Sequence, residues 1–192
     1  MQKTLLILIF LVSALRLYAQ DSKFSLEAHY PIPIDNNFIG KNYNGFMDVG
    51  LGYRIIELKP VKLGVSVNAG YLVDNNNIER GFDQVKVTSF LFQPRVFAEF
   101  NIEELNKFVP KISLGYTSMR INVSNPNSLD NTNTTNTFNG LNLNLGVSYN
   151  FSEKLFATLQ YDFIKLSSDS VAIDSNFNRN VNILKIGFGL RF

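Results

Sequence analysis

Val181-Asn182-Ile183-Leu184-Lys185-Ile186-Gly187-Phe188-Gly189-Leu190-Arg191-Phe192 decides the fold. Leu184, Ile186, Phe188, Leu190 and Phe192 occupy every second position, with Lys185, Gly187, Gly189 and Arg191 between them. A β-strand sends successive side chains to opposite faces, so one face here is wholly apolar and the other is small or cationic. Such a strand suits a soluble sandwich with one face on a core. It equally suits the wall of a closed barrel with one face in lipid.

The rest of the chain repeats the pattern. Strands are predicted over residues 24–32, 45–56, 61–73, 87–101, 108–121, 138–151, 154–166 and 181–192. In residues 61–73, Val61, Leu63, Val65, Val67, Ala69 and Tyr71 alternate with Lys62, Gly64, Ser66, Asn68 and Gly70. Pro31 and Pro33 are expected to end the first strand. Pro94, mid-strand on the apolar face, is expected to force a bulge, because proline removes a ladder hydrogen bond.

The connections alternate long and short. Short turns fall at Glu57-Leu58-Lys59-Pro60, Glu103-Glu104-Leu105-Asn106 and Asn150-Phe151-Ser152-Glu153. Long polar loops fall before residue 45 and over 74–84, 122–137 and 167–180, the third rich in Asn, Thr and Ser. An even number of strands with short turns on one side and long loops on the other is the arrangement of an up-and-down transmembrane barrel. Each apolar stripe is about 9–11 residues, enough for a tilted strand to cross hydrocarbon. A sandwich offers no reason for the alternation. The expected fold is therefore all-β: an eight-stranded antiparallel up-and-down transmembrane β-barrel with both termini in the periplasm.

Residues 1–19 read as a secretory signal peptide. Lys3 gives a cationic start, Leu5 to Val12 an apolar centre, and Leu17-Tyr18-Ala19 a small residue for cleavage before Gln20. The apolar run is shorter than the roughly 20 residues a membrane helix needs. Residues 20–192 are then the barrel domain.

Composition narrows the chemistry. Of 192 residues none is Cys and only His29 is histidine. A disulfide framework, a thiolate site and a multi-histidine zinc site are excluded. Lys3 and Arg16 lie within the signal, so of 18 basic residues 16 remain to balance 16 acidic ones. That balance argues against a nucleic-acid partner. No GxSxG motif, Walker loop or dinucleotide fingerprint occurs. Asp74-Asn75-Asn76-Asn77 lacks the spacing of a calcium loop. Neither metal nor cofactor is expected.

The signal ending Tyr18-Ala19-Gln20, the segment Val49-Gly50-Leu51-Gly52-Tyr53 and the terminal Gly187-Phe188-Gly189-Leu190-Arg191-Phe192 resemble a known group. It is the small eight-stranded outer-membrane β-barrels, often labelled porin family, common in Bacteroidetes-like bacteria. The resemblance covers the whole mature chain and implies architecture and an outer-membrane location rather than one activity. It also implies that Leu184, Ile186, Phe188, Leu190 and Phe192 form the signal read by the barrel-insertion machinery.

The two faces divide the remaining residues. Tyr53, Phe100, Phe108, Tyr149, Phe151 and Phe192 are expected in an aromatic girdle near the short turns. Tyr30, Tyr71, Phe90, Phe138 and Phe163 are expected in one near the long loops. The inner face gathers Glu27, His29, Asp48, Arg54, Lys62, Gln93, Arg95, Glu99, Lys111, Asn142, Asn144, Asp162, Lys185 and Arg191. An eight-stranded lumen is about filled by its side chains, and buried charges must pair. A salt-bridged polar plug is therefore expected, in a monomer whose closed barrel has no free edge.

The function expected is non-enzymatic: a structural or surface-interaction barrel embedded in outer-membrane lipid. One alternative is a narrow channel or a carrier of small solutes or apolar molecules, with a lateral opening sought at Pro94. Another is a lipid-modifying enzyme using His29, with Ser25 and Glu27 on the same face. Small outer-membrane barrels include such hydrolases and acyltransferases. They usually place His and Ser on the lipid side, whereas His29 reads as inward.

Overall fold

A computed structural model describes residues 23–74, 78–80, 83–124, 134–167 and 176–192. The predicted signal peptide lies outside them. Eight long strands form the wall: β1 (Phe24–Ile34), β2 (Tyr43–Leu58), β3 (Val61–Asp74), β5 (Asp83–Phe100), β6 (Phe108–Ser124), β7 (Thr134–Asn150), β8 (Leu155–Ser167) and β9 (Asn180–Arg191). A short β4 (Ile78–Arg80) pairs with the start of β5. Each long strand is antiparallel to its neighbours in sequence, β3 pairs with β5, and β1 pairs with β9. The sheet therefore closes on itself, as backbone groups in hydrocarbon require.

The closing seam is continuous. Ser25 to Ile34 pair with Arg191 to Asn182 without a register break. At its end Phe24 and Phe192 each donate a backbone N–H to the other's carbonyl, at 3.1 and 3.0 Å. Both ends of the described chain thus lie on the short-turn side, called here the terminal end. The opposite side is the loop end.

The strands run further toward the loop end than their apolar stripes predict. β5 begins at Asp83, β6 reaches Ser124 and β7 begins at Thr134. These residues belong to the wall, so the predicted loops over 74–84 and 122–137 shrink.

Three proline expectations change. β1 continues through Pro31 and Pro33 to Ile34, pairing there with β9, while its ladder to β2 stops at His29 and Asp48. Neither proline N–H is missed on that unpaired side. Pro94 produces no bulge. Across it β3 keeps one register, and β6 pairs Ser118 with Phe92 and Gly115 with Arg95 in the same register. Gln93 and Pro94 are missing from the β6 ladder, so the proline costs hydrogen bonds without inserting a residue. On the β3 side the ladder is unbroken across Pro94.

Where β1 and β2 stop pairing, a five-residue helix α1 (Phe38–Asn42) folds into the mouth. The Asn37 side chain caps it, accepting from the Gly40 N–H at 2.7 Å. Gly45 still lies against β1 at this point: a Cβ there would fall on the Pro31 carbonyl oxygen. A second short helix, α2 (Asn176–Arg179), leads into β9.

Candidate functional site

The outer face is as the alternation predicts. Phe24, Leu51, Phe92, Val96, Leu114, Leu141 and Phe188 are exposed. At the terminal end Phe24 packs on Tyr53 at 4.7 Å and stacks on Phe192 at 6.1 Å. Phe108, Tyr149, Phe151 and Phe188 continue the ring contacts. Toward the loop end Tyr30, Tyr71 and Phe90 are exposed, with Phe46 edge-on to Tyr71. Phe138 departs from expectation. It shares parity with Asn142 and Asn144, so it faces inward and packs on the buried core.

Inside, the lower and middle lumen is polar, with ion pairs and hydrogen bonds running from wall to wall. Asp162 accepts from Arg95 at 2.7 Å, Lys185 at 2.9 Å and Asn144 at 2.6 Å. Lys185 also reaches Asp48 at 2.8 Å and donates to Gln93 at 3.0 Å. Asp48 lies 2.9 Å from His29 Nδ1, and His29 Nε2 lies 3.2 Å from Glu27. Glu27 pairs with Lys111 at 3.2 Å and accepts from Gln160 at 2.7 Å. Near the terminal end Arg54 pairs with Glu99 at 2.7 Å. Arg191 donates to Asn150 at 2.6 Å and covers the Phe156 ring. The side chains of Asp48, Asp162 and Lys185 are at most 1% exposed. Such charges stay buried only when paired and hydrogen-bonded.

Of the eleven ionisable residues expected in the plug, seven are joined in that chain of contacts, Arg54 and Glu99 pair with each other, and Arg191 bonds Asn150, so ten meet a lumen partner. Lys62 does not. It sits beside the β2–β3 turn and pairs with Glu57 at 3.3 Å, both side chains partly exposed. Alternation fixes which face a residue takes but not its height along the axis. Asn68, Thr117 and Gln160 are added to the network. Asn68 donates to Asp48, and Thr117 accepts from Gln93 and Asn142. All three lie at inward parity, so the same alternation could have named them.

Above the network the lumen changes character. Leu72, Leu91, Met119, Ile164, Val181 and Ile183 point inward and are nearly inaccessible. With Ile39 and Tyr43 they form an apolar cluster, against which Phe38, Val87, Val123 and Phe138 pack. The outward face changes at the same height. On β6, Ser118, Arg120 and Asn122 point outward where Met119, Ile121 and Val123 point inward. On β8, Lys165 and Ser167 are outward against Ile164 and Leu166. On β9, Asn182 has outward parity but is buried, bonding Tyr161 and Asp35 at 2.8 Å each. A wall that is apolar outside and polar inside stands in lipid, and one that is polar outside and apolar inside stands in water. The reversal just past Tyr116, Phe163 and Leu184 marks the membrane boundary. Within the upper collar lies a cavity of about 380 Å³. Sequence reasoning missed this collar. The signal was the change of parity in Ser118-Met119-Arg120-Ile121-Asn122-Val123.

Known structures share this architecture. The attachment invasion locus protein Ail of Yersinia pestis is 14% identical, with 88% of this chain and 97% of that chain covered and a TM-score of 0.56. Neisserial surface protein A (NspA) is 16% identical, with 89% and 96% covered and a TM-score of 0.56. The N-terminal β-barrel domain of Pseudomonas aeruginosa OprF is 16% identical, with 90% and 98% covered and a TM-score of 0.53. At these identities the likeness is one of fold. No curated protein matches the chain in sequence. The model of one family, described as the outer membrane protein beta-barrel domain, matches residues 4–192. With its closed eight-stranded wall, lipid-facing apolar stripes and polar lumen, the chain belongs to the outer membrane protein beta-barrel domain family.

Proposed function

We propose that this outer-membrane barrel is a non-catalytic, non-conducting scaffold with a structural or surface-interaction role. The observation that carries the reading is the lumen: Arg95, Asp162, Lys185, Asp48, His29 and Glu27 link one wall to another through contacts of 2.7–3.2 Å. An ion would have to break several buried pairs to pass. Both His29 ring nitrogens are engaged by lumen side chains. That argues against a histidine that activates a lipid-side nucleophile. Ail has also been seen with the heparin analogue sucrose octasulfate, so a barrel of this fold can hold a ligand.

In this reading the terminal end is periplasmic and the loop end is outside. The β9 residues Leu184, Ile186, Phe188, Leu190 and Phe192 are the stripe offered to the insertion machinery, and the protein acts as a monomer. Planar-bilayer recording tests the proposal. Purified protein should give no steps above the bare bilayer, and Lys185→Ala combined with Arg95→Ala should open a path. Discrete conductance from the unaltered protein would overturn the scaffold reading in favour of a narrow channel.

A further inference from the structure

We propose that the apolar collar at the loop end is a binding site for one neutral, apolar small molecule, of two-ring size or an alkyl chain of similar volume. This goes beyond the scaffold role, which needs no ligand in the mouth.

The shape comes first. A cavity of about 380 Å³ lies between α1 and the inner faces of β5 to β8. Small-molecule pockets run from about 300 to 1,000 Å³, and an engineered apolar cavity of about 150 Å³ already binds benzene. Half-buried Phe38, Val87, Val123 and Phe138 line it, backed by Ile39 and Met119, which are at most 2% exposed. Asn42, Asn136 and Asn178 add polar groups to the lining.

The chemistry of the occupant follows from the lining. Among the described lining residues Asp74 is the one acid and none is basic; the others are apolar, amide or tyrosine side chains. An anionic ligand would find no basic side chain in this lining, and a cation would leave its shell of water for one carboxylate that is already engaged. A neutral molecule avoids both costs.

The surroundings separate this site from ordinary lipid contact. Outside the same stretch of wall are Ser118, Arg120, Asn122 and Lys165, so the collar is clear of the hydrocarbon. Its floor is closed. Leu91, Ile164 and Ile183 are at most 2% exposed, and the Asp48–Lys185–Asp162 pairs lie beneath them. The site is a blind pocket filled from the loop end, and it binds without transporting.

The absence of tryptophan from the sequence makes the test direct. Phe138→Trp puts a single indole in the cavity, and Phe92→Trp puts one on the lipid face. Both variants, in nanodiscs, are titrated with 1-bromooctane, a neutral apolar heavy-atom quencher. Phe138→Trp quenching should saturate at one quencher per barrel. Phe92→Trp quenching should rise in proportion to the quencher-to-lipid ratio. Adding Val123→Phe, which fills the cavity, should move the Phe138→Trp midpoint at least tenfold. Quenching of Phe138→Trp that parallels Phe92→Trp would overturn the proposal. So would a blue emission that the quencher never reaches, because the chain itself would then fill the collar. Should Phe138→Trp lose its boiled–unboiled gel shift, Val123→Trp is the reporter and Ile121→Phe the filler. Bilayer conductance bears on the scaffold reading alone, so the two proposals fail separately.

Discussion

Replacing Lys185 by Met removes one ammonium and leaves most of the side-chain volume. Asp48 then keeps His29 at 2.9 Å and Asn68 at 3.0 Å, and Asp162 keeps Arg95 at 2.7 Å and Asn144 at 2.6 Å. Removing one partner of a buried pair costs about 3–5 kcal/mol. The partners that remain place Lys185→Met near the lower end, at about 3 kcal/mol, a loss of more than a hundredfold in the folding equilibrium at about 1.4 kcal/mol per tenfold. Lys62→Met is the internal control. Its pair with Glu57 has side chains 29% and 41% exposed, so its loss costs about 0.5 kcal/mol or less. The assay is reversible urea unfolding in lipid vesicles, read as a midpoint shift at constant slope. The double variant Asp48→Asn, Lys185→Met removes the surplus negative charge, leaves the Arg95–Asp162 pair intact and should recover part of the loss. If Lys185→Met and Lys62→Met fall within about 0.5 kcal/mol of each other, the lumen is wet enough to screen its charges, and the plug argument fails.

The membrane boundary gives a paired test: Leu114→Arg should cost about 2–4 kcal/mol in the same unfolding assay, as for arginine near the midplane. Thr137→Arg, outward and beside Arg120, should stay within about 0.5 kcal/mol. At the closing seam a Cβ on Gly187 would fall on the Ala28 carbonyl and the His29 Cα, so Gly187→Val should abolish the boiled–unboiled gel shift. Gly146→Ala meets the flexible Gln160 stem at 3.2 Å and the Leu159 carbonyl at an ordinary 3.5 Å, and should keep that shift. His29→Ala should lower stability by about 1–3 kcal/mol, because it strips a hydrogen bond from both Asp48 and Glu27. A folded, undestabilised His29→Ala would show that those carboxylates do not depend on the imidazole.

The period of two made the wall legible. Leu184 to Phe192 and Phe24 to Tyr30 face where their parity puts them, and the inward acids and bases of β1, β2, β5, β8 and β9 pair across the lumen. Parity alone does not say how far up the axis a residue sits, so Lys62 reads as a plug residue although it lies at the rim. Nor does it say which solvent a strand is in. The rule of apolar outside holds only below the boundary, so it puts Phe138 on the lipid face and gives Met119, Ile121 and Val123 no inward role, where the structure has all four inside. α1 spans five residues, too few for a helical period to show, and its one local mark is the cap at Asn37. Pro94 misled because a missing N–H was equated with an inserted residue. The register shows that a strand can forgo the bond and keep its count.

The seam between Phe24 and Phe192 has a consequence for assembly. The first and last strands are bonded to each other, so every contact that completes the ring awaits both ends of the described chain. Before that moment the sheet carries two raw edges. In lipid each unmet backbone group costs several kcal/mol, and the penalty grows with every residue of edge exposed. A partly formed barrel is therefore no resident of the bilayer. It must close in one concerted step, have its edges shielded by a helper, or pair them with a second copy. Ring closure joins the two strands farthest apart in sequence, so the contact that removes both edges is also the one with the longest stretch of chain to bring together.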